Sequence, residues 1–206
     1  MPYGYTGKIL HVDLSNGKFE IETPPETFYR HYMGGSAMGM VYILRDIPQG
    51  VDALSPENIL TLFTGVTTGV AISGQSRINA NAKSPLSGGI GDSQGGGFFP
   101  AELKFAGLDG IVIRGAASAP VYLLVRDGQA QLLDASELWG LDSFATWEKL
   151  NALYGRRAAI ACIGPAGEQQ VRYASIVTNS TANSWARTGV GAVMGSKKLK
   201  AIAVSG

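Results

Sequence analysis

Short runs of β-branched and aliphatic residues, separated by glycine-rich and polar turns, make up most of the chain. Two pairs of these runs are joined by tight-turn sequences, Ser15-Asn16-Gly17 and Asp127-Gly128, and such pairs are typical of β-hairpins. The predicted strands cover residues 8–14, 18–22, 58–63, 77–82, 110–114, 121–126, 129–133, 158–163, 172–178 and 199–204.

Fewer segments have a helical pattern. The clearest begins after Asp142, a residue that can cap a helix N-terminus, and stops at Gly155, which can end one. Another has Pro100 at its first position, where the missing N–H costs nothing. The predicted helices cover residues 26–32, 37–45, 100–105 and 143–154.

The same order of elements occurs twice along the chain. Each half starts with a hairpin, continues with a helix and a strand that ends in glycine, and closes with a glycine-rich loop, a short basic helical segment and an aliphatic strand. The closing segments are residues 95–115 and 189–206. This order indicates an internal duplication, with chance resemblance between generic hairpins as the alternative. We therefore expect one α+β domain of two β-rich repeats, about 1–115 and 116–206, each with an antiparallel or mixed sheet and related by a pseudo-twofold axis.

Composition limits the classes of function. Hydrophobic residues are 45% and charged residues 16% of the chain, and the net charge is +1, so nucleic acid and membrane surfaces gain no electrostatic attraction. No apolar run has the length of about 20 residues that a membrane span needs, and we expect a cytoplasmic protein. The single cysteine, Cys162, can form no internal disulfide and cannot alone hold a metal cluster; its apolar neighbours predict a buried thiol.

Two glycine-rich segments are the candidates for chemistry. Residues 95–97 are three consecutive glycines ahead of a helical segment, and residues 187–197 have the same character. Backbone N–H groups at such places can approach an anion closely. Arg77 and Arg187 can add a planar guanidinium that binds two phosphate oxygens. The alternative for each arginine is an ordinary solvated surface side chain.

Several stretches resemble the N-terminal domain of tungsten-containing aldehyde ferredoxin oxidoreductases. They occur in the order of that family over essentially all 206 residues: YTGKILHVDLSNG, LSPEN, AKSPLSGG, GGGFFPAELKFAG, DASELWG, IGPAGE and GVGAVMGSKKLKAIAV. The resemblance implies a bis-pterin cofactor, with tungsten, or molybdenum as the alternative, held by two dithiolenes. Such enzymes oxidise an aldehyde to a carboxylate and pass electrons through a [4Fe–4S] cluster to ferredoxin.

The resemblance also implies site residues. Arg77 is expected to contact a pterin phosphate, and the backbone carbonyls of Gln94 and Ser184 to bind a magnesium ion that bridges the two phosphates. The cofactor-binding positions that it implies are Arg77, Gly95, Gly96, Gly97, Asn183, Trp185, Ala186 and Arg187.

Three positions depart from the family pattern. Gln94 stands where the family often has Asn, Asn183 replaces an expected Arg, and Trp185 replaces a small residue. The departures at Asn183 and Trp185 weaken the assignment of the second phosphate site.

Much of what the family needs for turnover is expected to lie elsewhere. In the family the cluster cysteines and the catalytic residues belong to later helical domains, so the 206 residues alone are expected to be inactive. The expected partners are those domains, the aldehyde, ferredoxin and a second copy of the chain. The alternative is a non-catalytic interaction or assembly domain on the same fold. An exposed apolar face is expected at Phe98, Phe99, Trp185 and Val190.

Overall fold

The computed structural model describes residues 4–178 and 183–206. Twelve strands form two six-stranded sheets in this part of the chain. In the first sheet the strands are β1 (Ile9–Asp13), β2 (Lys18–Glu22), β3 (Leu60–Thr64), β4 (Ile78–Lys83), β5 (Ile90–Gly95) and β6 (Gly110–Arg114). In the second they are β7 (Val121–Arg126), β8 (Gln129–Asp134), β9 (Ala159–Cys162), β10 (Ile176–Thr178), β11 (Asn183–Trp185) and β12 (Leu199–Ser205).

Six short helices connect or cover the strands. Asp142 caps one of them, because its Oδ1 accepts a hydrogen bond from the Ala145 N–H at 2.8 Å, and Gly155 ends it with a φ of 82°, as the sequence predicts. The helices are α1 (Glu26–Tyr32), α2 (Ser36–Asp46), α3 (Phe99–Phe105), α4 (Ser143–Tyr154), α5 (Pro165–Glu168) and α6 (Val190–Ser196).

The two sheets have the same topology. The strand order is β2-β1-β6-β3-β4-β5 in the first and, read from the equivalent end, β8-β7-β12-β9-β10-β11 in the second. Each contains one parallel pair, β1 with β6 and β7 with β12, and its other pairs are antiparallel. The prediction of an α+β fold with two mixed sheets in matching halves is therefore confirmed.

One core joins the sheets. Leu10 and Ile111 of the first sheet and Leu123 and Val204 of the second belong to one continuous cluster of buried residues, to which α3 and α6 also contribute. A second cluster lies between the first sheet and α1 and α2, and a third between the second sheet and α4. Burial of apolar area on both faces of each sheet is the main source of stability.

Two strands at the contact between the sheets, β5 and β11, were not predicted. Apart from Ile90 and Trp185, these two strands consist of glycine and of polar residues, and their sequences look like loops. β10 is also shorter than predicted: residues 172–175 form a turn, in which the Ala174 carbonyl accepts a hydrogen bond from the Gly191 N–H at 3.0 Å.

No helix in the described ranges has both the length and the apolar character needed to cross a bilayer. The cytoplasmic location stays a prediction.

Candidate functional site

A surface cleft of about 550 Å³ lies where β4 and β5 meet the N-terminal end of α2. All of the residues that line it belong to the first half of the chain. They are Met33, Gly34, Gly35, Ser36, Ala37, Gly65, Val66, Arg77, Asn79, Asp92 and Gln94.

The wall formed by residues 33–37 depends on two glycines. Met33, Gly34 and Gly35 have consecutive positive φ angles of 57°, 141° and 57°. A Cβ on Gly34 would lie 2.9 Å from the Thr64 carbonyl oxygen, and one on Gly35 would lie 2.9 Å from Asn79 Oδ1. Only glycine permits both this backbone and this close approach to the sheet. The sequence analysis missed this wall, although the Gly-Gly pair directly before a helix was a usable signal.

The floor of the cleft carries a polar network in which the exposed carboxylate of Asp92 lies over the buried side chains of Asn79 and Asn81. One carboxylate oxygen accepts hydrogen bonds from the side-chain amides of Asn79 at 2.8 Å and Asn81 at 3.1 Å. The other accepts from Ser36 Oγ at 2.7 Å. Because β4 and β5 pair Asn81 with Asp92 and Asn79 with Gln94, these polar side chains share one face of the first sheet. The network joins α2 to the end of that sheet.

Arg77 stands at the rim of the cleft with its guanidinium exposed. Its backbone is fixed by the turn at residues 65–68. The Arg77 carbonyl accepts from the Gly65 N–H at 3.0 Å and from Thr68 Oγ at 2.8 Å, and the Arg77 N–H donates to Thr68 Oγ at 3.2 Å. A Cβ on Gly96 would lie 2.4 Å from Arg77 Nη1. The absence of a side chain at Gly96 thus makes room for the guanidinium.

The three predicted glycines at 95–97 have different surroundings. A Cβ on Gly95 would lie 2.8 Å from Trp185 Nε1, so this glycine accommodates the indole. Gly97 has a φ of 89°, and its carbonyl accepts from Ser76 Oγ at 2.8 Å. Gly95 therefore belongs to the contact between the sheets, whereas Gly96 and Gly97 border Arg77 and the residue before it.

The 183–189 segment of the second half packs along β5. Trp185 is fully buried, and its indole N–H donates to the Ile78 carbonyl at 3.2 Å. The Arg187 N–H donates to Ser93 Oγ at 3.1 Å, while the Arg187 side chain and Ala186 are exposed. The two glycine segments therefore lie against each other.

The other predicted positions, Gln94, Ser184 and Asn183, do not share one cavity. Gln94 is exposed and lines the cleft. Ser184 is half-buried on β11, paired with Val177. Asn183 lines another surface cavity, of about 690 Å³, together with Phe98 and Arg157.

The expected exposed apolar face is largely absent. Phe98 is 75% exposed, but Phe99, Trp185 and Val190 are each at most 1% exposed. Phe99 and Trp185 pack edge to face with ring centroids 5.6 Å apart. The contact between the two sheets therefore encloses three of the four side chains within the chain itself.

Cys162 is buried, as predicted. Its Sγ donates to the Ser143 carbonyl at 3.4 Å, and burial raises the pKa of the thiol to about 12. A thiol that stays protonated is a poor metal ligand and nucleophile. In the described ranges, no group of three or more His, Cys, Asp or Glu side chains is arranged to hold a metal ion.

Comparisons with known proteins identify the family. The family model described as "Aldehyde ferredoxin oxidoreductase, N-terminal domain" matches residues 9–206. A tungsten-containing aldehyde ferredoxin oxidoreductase of Pyrococcus abyssi is 44% identical over 99% of this chain, which spans 34% of that protein. The WOR-like subunit of an aliphatic sulfonate oxidoreductase of Pyrococcus furiosus is 34% identical over 99% of the chain and 35% of its own length.

A solved structure is similar over the whole chain. It is described as the active site complex BamBC of benzoyl coenzyme A reductase with 1,5 dienoyl-CoA, and it has a TM-score of 0.96 and 37% identity over 100% of this chain and 31% of its own. The chain thus spans about a third of the length of the relatives that it matches. The sequence match over residues 9–206 and the shared fold together show that the chain belongs to the aldehyde ferredoxin oxidoreductase family, in which it corresponds to the N-terminal domain.

Proposed function

We propose that this domain binds a bis-tungstopterin cofactor, with one pterin phosphate at Arg77. The observation that carries the proposal is the pairing of an exposed guanidinium with a glycine, Gly96, that has no room for a side chain. Hydrogen bonds fix both the N–H and the carbonyl of Arg77, so only its side chain must be ordered when it binds a phosphate, and the planar guanidinium can contact two oxygens.

The residues of the cleft fit a phosphate-bearing ligand. Gly34 and Gly35 bring backbone to the edge of the cleft, and the N-terminal end of α2, an 11-residue helix, opens there. The helix dipole and its unpaired N–H groups favour an anion at that end. The carboxylate of Asp92 is already engaged by three donors, which reduces its repulsion of a phosphate.

A bridging magnesium ion at the carbonyls of Gln94 and Ser184 is part of the proposal. β5 and β11 are the end strands of their sheets, so alternate carbonyls of each strand point away from their own ladder. Gly95 and Trp185 bring the two strands into contact one residue away from Gln94 and Ser184. Oxygen donors are the ligands that Mg²⁺ prefers. Gly95, Gly97, Asn183, Trp185, Ala186 and Arg187 complete the proposed surface.

For the reaction, we propose aldehyde oxidation by the complete enzyme, with electrons passing through a [4Fe–4S] cluster to ferredoxin. Support comes from the 44% identity to a tungsten-containing aldehyde ferredoxin oxidoreductase, compared with 37% to the benzoyl coenzyme A reductase complex. When bound, tungstopterin supplies the redox centre. The residues of this chain bind and orient the cofactor. The proposal assigns no proton transfer to any residue of the cleft.

Two substitutions test the phosphate site. We expect Arg77→Ala to remove a charge-assisted contact of roughly 1.5–3 kcal/mol. Gly96→Val should do more damage, since its branched side chain would displace the guanidinium. In the complete enzyme, expressed in a host that makes the cofactor, both variants should fold yet contain less tungsten and pterin. Arg126→Ala, at an exposed arginine at the end of β7, is the matched control.

The measurements are metal and pterin content per folded protein, with circular dichroism to verify the fold. Full tungsten and pterin in both variants would refute the site assignment. Absence of tungsten and pterin from the unmodified protein under the same conditions would instead favour the non-catalytic interaction domain.

A further inference from the structure

Lys104, on α3, donates hydrogen bonds to the backbone of two residues that line the cleft. Its Nζ donates to the Gly65 carbonyl at 2.8 Å and to the Val66 carbonyl at 3.0 Å, and both of these residues line the cleft. Burial lowers the pKa of Lys104. The Asp109 carboxylate opposes this lowering of the pKa, but in the described ranges no carboxylate lies within ion-pair distance of Lys104, and the ammonium donates to the two carbonyls.

The turn that Lys104 holds is the same turn that fixes Arg77. The Gly65 N–H donates to the Arg77 carbonyl at 3.0 Å, while the Gly65 carbonyl accepts from the Thr68 N–H at 3.1 Å. Thr68 Oγ then contacts both the carbonyl and the N–H of Arg77. A shift of Gly65 would therefore change the backbone position of Arg77 directly.

The other end of this connection is the glycine segment. α3 begins at Phe99, two residues after Gly97, and the Gly97 carbonyl accepts from Ser76 Oγ, next to Arg77. Lys104 thus closes a ring of contacts that runs through the 65–68 turn, Arg77, the glycine segment and α3. In such a ring the backbone of Arg77 and the glycine that makes room for its guanidinium are held at a fixed separation.

We propose that Lys104 is a positioning residue, which holds Arg77 in the orientation that binds phosphate. This inference rests on the proposed function of Arg77. A charge-assisted donor that reaches two carbonyls at once is stronger than a neutral one. Methionine at this position would preserve the buried stem and leave both carbonyls without their donor, whereas arginine can donate to both.

The test is a titration of the purified 206-residue chain with inorganic pyrophosphate, followed by calorimetry. We expect Arg77→Ala to weaken binding at least tenfold, Lys104→Met to weaken it about fivefold, and Lys104→Arg to restore it to within about twofold of the unmodified chain. Lys149→Met, which removes an exposed lysine that donates to the Glu137 carbonyl at 3.2 Å, should leave binding unchanged.

The double variant separates positioning from a general loss of structure. If Lys104 acts through Arg77, adding Lys104→Met to Arg77→Ala should cause no further loss. Additive losses, or a Lys104→Met variant that binds like the unmodified chain, would overturn the proposal.

A second readout keeps failure of the proposed function distinct. Hydrogen exchange of the Gly65 amide, which donates to Arg77, should be faster in Lys104→Met than in Lys104→Arg at equal global stability. If the unmodified chain binds no pyrophosphate, the phosphate assignment of Arg77 fails, and unchanged Gly65 exchange would also refute the positioning role. If pyrophosphate does not bind but Gly65 exchanges faster in Lys104→Met, Lys104 still positions the Arg77 backbone, and only the phosphate role of Arg77 is refuted.

Discussion

Lys197 places an ammonium group inside the contact between the two halves of the chain. The side chain is fully buried, and its Nζ donates to the carbonyls of Asn58 at 2.5 Å, Gly115 at 2.9 Å and Pro56 at 3.3 Å. Burial lowers the pKa of Lys197 to about 8. The three carbonyls satisfy the donors, but none of them neutralises the charge.

A pH dependence of stability follows from this lysine. The unfolded lysine has a pKa of about 10.4, so between about pH 8 and 10.4 the unfolded chain binds more protons than the folded chain. The contribution of Lys197 to the free energy of unfolding therefore rises with pH in this window, by at most about 1.4 kcal/mol per pH unit. Urea unfolding at pH 7.5 and pH 10 should show this rise in the unmodified chain, relative to Lys197→Met. Identical pH profiles would contradict the assignment.

At the scale of single residues, the phosphate role of Arg77 stays a prediction, whereas the burial of Trp185 was not foreseen. Arg77 was identified as a phosphate candidate, and the structure places it on a cleft. Trp185 was expected beside the cofactor, yet its indole is enclosed. No local pattern reveals this burial, because it depends on Gly95, 90 positions earlier in the chain, leaving space for the ring.

At the scale of elements, hydrophobic pattern and turn chemistry identified both hairpins and α4, because local residues determine these elements. β5 was missed, since its inward positions are Gly91, Ser93 and Gly95. These small residues allow close packing against the 183–189 segment. They do not produce the alternation of apolar and polar residues from which a strand is predicted. The Gly34-Gly35 wall was missed for a related reason: its positive φ angles are needed only because α2 approaches the first sheet closely.

A substitution in β5 tests this close packing. Gly95→Ala would place a Cβ 2.8–3.1 Å from the buried indole of Trp185, and we expect it to destabilise the chain by roughly 1–3 kcal/mol. Gly89→Ala is the matched control, because the closest atom that a Cβ there would meet is Ser87 Oγ at 3.8 Å. Denaturant unfolding should show the loss in the first variant and little change in the second. Equal stability of the two variants would rule out a tight contact at Gly95.

At the scale of the whole molecule, the repeated order of elements predicted two sheets of matching topology, and the strand orders agree. The repeated order could not predict that residues of the first half alone line the cleft, or that Asn183 lines a different cavity. A repeat conserves backbone topology, whereas clefts depend on side chains and on loops that differ between the halves. The Gly-Gly wall before α2, for example, has no counterpart before α4, which is capped by Asp142.

The shared core has a consequence for folding of the whole chain. Residues of both sheets belong to one cluster, Trp185 packs against β5, and Lys197 donates to carbonyls of the first half. Neither half can bury its inner sheet face alone, so fragments 1–115 and 116–206 should each lack fixed tertiary structure. The intact chain should unfold in one transition, with tryptophan fluorescence and far-ultraviolet circular dichroism giving the same midpoint. Two separate midpoints, or a fragment with dispersed amide resonances and cooperative unfolding, would show that the halves are independent folding units.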